Sequence, residues 1–183
     1  IFAADGASGG LLLGTEGDNP VLFYRDRTEK MRIHTNGNIG IGNTAPAASD
    51  GSARTLHIGS NLIIQDVVGT QTMFANNAHY DGTWKQFADG ENAVAMRFGA
   101  GGTINFHIAS ELSAGATLSS WDTTDIKLAI NSSGDVSPGT DNTQDLGTSS
   151  YRWANLYVGD MHLKNDRGDW TVIEEEEYLS LKN

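Results

Sequence analysis

The chain has 183 residues, 12 Lys and Arg against 23 Asp and Glu, and a formal charge of −11. Acidity of this size disfavours a phosphate backbone or an anionic membrane surface as partner, since both need a basic footprint. There is no Cys, hence no disulfide framework and no thiolate metal site, and no apolar run approaches the ~20 residues of a membrane span. Leu, Ile, Val and Phe total 39 residues, or 21%, near the level at which a lone chain struggles to fill a core. Gly is abundant and Pro scarce, at 22 and 3 residues. That mixture suits many short strands joined by turns, with copies of the chain intertwining to complete the burial. The chain begins at Ile1 rather than Met and shows no signal peptide, and it is taken as part of a longer polypeptide.

In chain order, the glycine-bounded Leu11-Leu12-Leu13 within residues 9–14 predicts a first strand. Turn formers at 15–20 precede a second strand over Val21, Leu22, Phe23 and Tyr24, and residues 25–30 form a charged break. Residues 31–35 alternate apolar and polar before Asn36-Gly37, a strong hairpin signal, with Ile39 and Ile41 sharing a face of the return arm. This unit has an internal relative at 127–139. Ile33 answers Ile130, Gly37 answers Gly134, Ile39 answers Val136 and Gly42 answers Gly139. A second echo sets Leu56-His57-Ile58-Gly59 against Leu156-Tyr157-Val158-Gly159, the latter expected as a strand. Repetition at nearly fixed spacing points to stacked modules.

Between the copies lie buried-strand runs at Leu62-Ile63-Ile64 and Val67-Val68, and turn signals at Asp81-Gly82 and Asp89-Gly90. Phe98, Ile104, Phe106 and Ile108 fall on alternate positions of strands flanking a glycine-rich turn. After Gly159 the chain predicts a three-strand meander, with a turn at 165–168 and a run of four acids at 174–177 that protects an edge.

Residues 141–160, DNTQDLGTSSYRWANLYVGD, open with turn formers and then carry a dense aromatic load in Tyr151, Trp153 and Tyr157 beside Leu156. The wording closely resembles the segment near the C-terminus of bacteriophage tail-fibre and related appendage proteins. MRIHTNGNIGIG is similar to units that recur along the shafts of those fibres, with Gly42-Asn43 where the family usually has Gly-Thr. Residues 161–183 resemble the family's closing segment, which normally runs somewhat further. The motif of the self-cleaving chaperone domain that many relatives carry is not found.

The resemblance implies an all-β, elongated and intertwined homotrimer of short strands and hairpins with a small globular β insertion. Residues 1–53 make a first shaft repeat and 54–125 a strand plus the insertion. Residues 126–160 make a second repeat with the YRW anchor, and 161–183 the meander. Tyr151, Trp153, Leu156 and Tyr157 then serve trimer packing. The implied role is that of a structural virion protein of a phage tail or appendage. It serves host attachment through residues 72–125 or as rigid carrier of a tip, beside other virion proteins. A polysaccharide-degrading tailspike and a bacterial surface adhesin are the rival readings.

No G-x-S-x-G elbow, zinc helix or Walker loop is present, and the five histidines have no metal-ligand spacing. The expectation is a non-enzymatic chain without cofactor or metal. Receptor-contact candidates are His79, Tyr80, Asp81, Trp84 and Lys85, where two aromatics flank an Asp-Gly turn among hydrogen-bonding groups. Such an arrangement grips a sugar ring by stacking and a few oriented bonds, so a host-surface glycan or an outer-membrane protein is the expected partner.

Overall fold

The computed structural model describes residues 14–15, 17–47, 54–67, 71–165 and 167–183. The expected first strand at 9–14 lies outside them except for Gly14, as do Val68 and Asp166 of the later expectations. The described residues are all-β, with strands and turns and no helix. The chain divides into two compact units, Ile1–Gln144 and Asp145–Asn183.

The first unit opens with β1 (Val21–Arg25), β2 (Thr28–Ile33) and β3 (Ile39–Ile41). The expected charged break at 25–30 is instead a hairpin. Asp26 and Arg27 take φ of 51° and 61°, and the strand resumes at Thr28, with Arg25 paired to Thr28. Two consecutive left-handed residues make the tight turn that matches strand twist, but Asp-Arg lacks the glycine that would have signalled it. At Asn36-Gly37 the expected turn forms, with Gly37 at φ 84°.

The chain continues through β4 (Arg54–Ile58), β5 (Leu62–Val67), β6 (Gln71–Asn76), β7 (Ala78–Tyr80), β8 (Trp84–Gln86), β9 (Ala93–Gly99) and β10 (Thr103–Ala109). It closes with β11 (Ile126–Ile130) and β12 (Val136–Pro138). Ten of these strands make one sheet in the order β1-β2-β3-β4-β5-β6-β9-β10-β11-β12. The 54–125 stretch is thus continuous with the hairpins on either side of it, not a bulge set apart from them. A hairpin edge left open carries unpaired N–H and C=O groups, and β4 and β10 satisfy those of β3 and β11.

The 97-residue echo is a structural repeat. Ile33 pairs Ile39 in the first hairpin as Ile130 pairs Val136 in the second. The Gly37 N–H donates to the His34 carbonyl at 2.8 Å, and the Gly134 N–H to the Asn131 carbonyl at 3.0 Å. The second echo does not carry over. Residues 56–58 lie in β4, parallel to β3 and antiparallel to β5, whereas 156–158 lie in no strand. No pairing with 156–158 occurs among the described residues, and a strand without a partner leaves its backbone to water.

Residues on the sheet's two faces differ. The core side is built from Ile63, Val67, Met73, Ala75, Ala93, Ala95 and Ala109 together with Ala47, Ala78, Trp84, Leu118 and Trp121. Alanines in the middle of the sheet let a covering layer approach closely. That layer is the β7–β8 hairpin and the 110–125 segment.

The second unit holds β13 (Met161–Asn165), β14 (Gly168–Glu174) and β15 (Leu179–Lys182) in one antiparallel meander. Glu174 ends β14 and the other three acids lie in the β14–β15 connection, where the Glu175 N–H donates to the Tyr178 carbonyl at 2.9 Å.

Candidate functional site

The candidate attachment residues sit on the β7–β8 hairpin, which is held on the sheet by side-chain amides. The Tyr80 N–H donates to Gln65 Oε1 and Gln65 Nε2 donates to the Tyr80 carbonyl, both at 2.7 Å. The buried Gln65 thus offers the hairpin what a neighbouring strand would offer. Asn77, at φ 60°, donates to the carbonyls of Ala88 and Glu91 at 3.0 and 2.8 Å and accepts from the Ala88 N–H. Gln86 accepts from the Leu112 N–H at 2.9 Å and donates to the carbonyls of Ala88, Glu91 and Leu112. Residues 115–118 then run beside β8. The Gln86 N–H donates to the Ala116 carbonyl and the Leu118 N–H to the Trp84 carbonyl, at 3.0 and 2.9 Å.

Under this layer lies an aromatic stack. Trp84 meets Tyr80 edge-on at 5.0 Å between ring centres and Trp121 at 5.7 Å, and Trp121 stacks on His107 at 4.6 Å. The Arg97 guanidinium lies 5.3 Å over the Trp84 ring. Asp122 joins the two, accepting from Trp84 Nε1 at 2.9 Å and pairing with Arg97. Trp121 is fully buried.

Of the five attachment candidates, His79 and Trp84 point inward, with Trp84 only 8% exposed. Tyr80, Asp81 and Lys85 keep partial exposure. The tip is ordered by its own bonds, with the Thr83 N–H and hydroxyl on Asp81 Oδ1 and Lys85 Nζ on the Thr117 hydroxyl at 2.9 Å. The hairpin therefore offers one half-exposed phenol and two charged groups, and no open indole face.

Burial lowers the pKa of His57, His79 and His107. His107 is pushed down to about 4, first by burial and then by the nearby Arg97 charge. Its Nδ1 lies 2.9 Å from the Trp121 carbonyl and so carries the proton of the neutral ring. His57 has the opposite tautomer, since its Nδ1 accepts the Ala47 N–H at 3.1 Å.

In the second unit the expected packing residues are all exposed. Tyr157 is 91% and Trp153 69% exposed, and Tyr151 and Leu156 are likewise open. Leu146, Arg152, Trp153, Leu156 and Tyr157 line a groove of about 670 Å³. The amides Gln65, Asn77 and Gln86 and the Arg97–Asp122 pair were missed in the sequence. For Gln65 the signal was a polar residue at an inward position of an apolar strand, LIIQDV, whereas Asn77 and Asp122 lie in no strand and had none. Compared with models of known protein families, with curated proteins and with solved structures, the chain matches none.

Gln86→Ala leaves the Leu112 N–H and the Leu112 carbonyl without the amide and the Ala88 and Glu91 carbonyls with Asn77 alone, and should destabilise the first unit by about 2–4 kcal/mol. Denaturant unfolding followed by Trp fluorescence measures it; a loss below 0.5 kcal/mol, by order of magnitude, would mean water replaces the amide. Acid should loosen the same layer. His107 titrates near 6.5 unfolded and about 4 folded, so the unfolded chain binds more protons between these values. Stability is complete above pH 6.5 and falls as pH drops toward 4, by about 2 kcal/mol at pH 5 from His107 alone. Melting at pH 7 and pH 5 should show the drop, and His107→Gln, which can still donate to the Trp121 carbonyl, should shrink it.

Proposed function

We propose that this chain is a structural segment of a homotrimeric phage tail fibre or related appendage serving host attachment. The observation that carries the reading is the 141–160 segment. Its wording resembles the fibre anchor, and Tyr151, Trp153, Leu156 and Tyr157 stand 58–91% exposed on a single chain. Large apolar side chains left open so close together need a partner to remove them from water. Two hairpins with one register, 97 residues apart, support a modular shaft. Host contact, where this chain makes it, falls to the tip of the β7–β8 hairpin, and a glycan or outer-membrane protein loop is the partner that Tyr80, Asp81 and Lys85 suit.

The purified chain should sediment at three times its 19.6 kDa mass; a monodisperse monomer at micromolar concentration overturns the reading. Trp153→Ala should lower the stability of the assembly by roughly 3–5 kcal/mol per chain, read as a fall in melting temperature and in trimer fraction. Hydrolysis of host polysaccharide by the purified chain would instead favour the tailspike enzyme. For the tip, Tyr80→Ala with Lys85→Ala should reduce host-cell binding at least tenfold through loss of one stacked ring per chain and avidity. Trp84 is left intact in that variant because its ring holds the covering layer. Unchanged binding by a folded trimer would remove the hairpin tip as the contact.

A further inference from the structure

The ten-stranded sheet has two faces of opposite character, and among the described residues of the first unit nothing covers the more apolar one. Alternate side chains of a strand point to opposite faces, and cross-strand partners share a face. On β5, β6, β9 and β10 the uncovered face takes twelve positions, of which nine are Leu, Ile, Val, Met or Phe and three are Asp66, Thr72 and Asn76. The covered face of these strands holds Ile63, Val67 and Met73 with the small Ala75, Ala93, Ala95 and Ala109, and the polar Gln65, Arg97, Asn105 and His107. An unbroken apolar row crosses the sheet as Leu56, Ile64, Phe74, Met96, Phe106 and Leu128, each paired with the next. Phe74 and Phe98 meet edge-on at 6.1 Å on the same face.

The size of this face matches a subunit interface. Leu62, Phe74, Val94, Phe98, Phe106 and Ile108 are 36–46% exposed. At ~200 Å² per large apolar side chain, these six leave about 500 Å² open, and their half-buried neighbours with Ile33, Ile41 and Leu128 bring the total to about 900 Å². The largest apolar patch of an ordinary monomer is roughly 300–600 Å², and a stable interface takes roughly 800 Å² from each partner.

Charge selects the occupant. With β4 included the face has fifteen strand positions, and only Arg54 and Asp66 are charged, directly opposite one another. A chain of charge −11 repels its own copies over most of its surface. This face is where two copies meet without bringing their acids together. We propose that the uncovered face of the ten-stranded sheet is the surface through which copies of this chain pack on one another. The inference rests on the homotrimer reading and adds to it an interface in the first unit, apart from the 141–160 anchor.

The test uses Phe106→Asp and a single introduced thiol in the full chain. Phe106→Asp should lower the sedimenting mass from three chains toward one, while the near-ultraviolet signal of Trp84 and Trp121, on the other side of the sheet, persists. An unchanged mass overturns the interface. Should Phe106→Asp not fold, Ile108→Cys decides. In the assembled parent its thiol should alkylate at least tenfold more slowly than that of Ser113→Cys, which sits exposed in the covering segment. Equal rates within a trimer sink this interface and leave the homotrimer standing. A monomeric parent with equal rates sinks both. A monomer that binds phosphatidylcholine vesicles, with Ile108→Cys then protected, would assign the face to lipid and overturn the proposal.

Discussion

The first unit depends on a few buried side-chain amides that stand in for backbone. A sheet can be covered by a helix or another sheet, whose polar groups are satisfied internally. Here the cover is a hairpin of two three-residue strands and an irregular segment, and neither satisfies all of its own N–H and C=O groups. Gln65, Asn77 and Gln86 supply the missing partners, each with donor and acceptor on one planar group. Asn38 does the same at the other end of the sheet, bridging the Ala47 carbonyl and the Thr55 N–H. An unpaired buried polar group is expensive, whereas a paired one costs little. The amides therefore decide where the cover can sit, and the tryptophans follow.

This arrangement also fits the small residues that face the core. Ala75, Ala93, Ala95 and Ala109 are buried in one cluster with Ala78 and Trp84 of the hairpin, and larger residues there would crowd the cover. The bulk of the apolar material is displaced to the opposite face. The apolar side chains of this unit are thus divided between a thin internal core and an exposed face of the sheet.

Much of the strand plan was legible. The Asn36-Gly37 turn, the repeated hairpin and the alternation of Phe98, Ile104, Phe106 and Ile108 follow from local geometry, which a sequence encodes within a few residues. The Asp26-Arg27 turn was hidden because two non-glycine residues adopt φ above zero there. The inward turn of Trp84 was hidden for another reason. Its environment is made by Arg97 and Asp122, 13 and 38 positions away, and long-range pairing leaves no periodic trace. The direction of the alternation was equally illegible: period two shows that two faces differ but not which one the chain covers itself.

The repeated hairpin has a genetic consequence. Because the chain returns to the same turn, register and closing glycine after 97 residues, a crossover between the two copies exchanges or deletes everything between them in frame. The amide-stitched cover travels inside that cassette together with the strands it needs. A segment exchanged between the two hairpins would therefore carry the cover and its strands as a whole and meet a hairpin of the same register at either end.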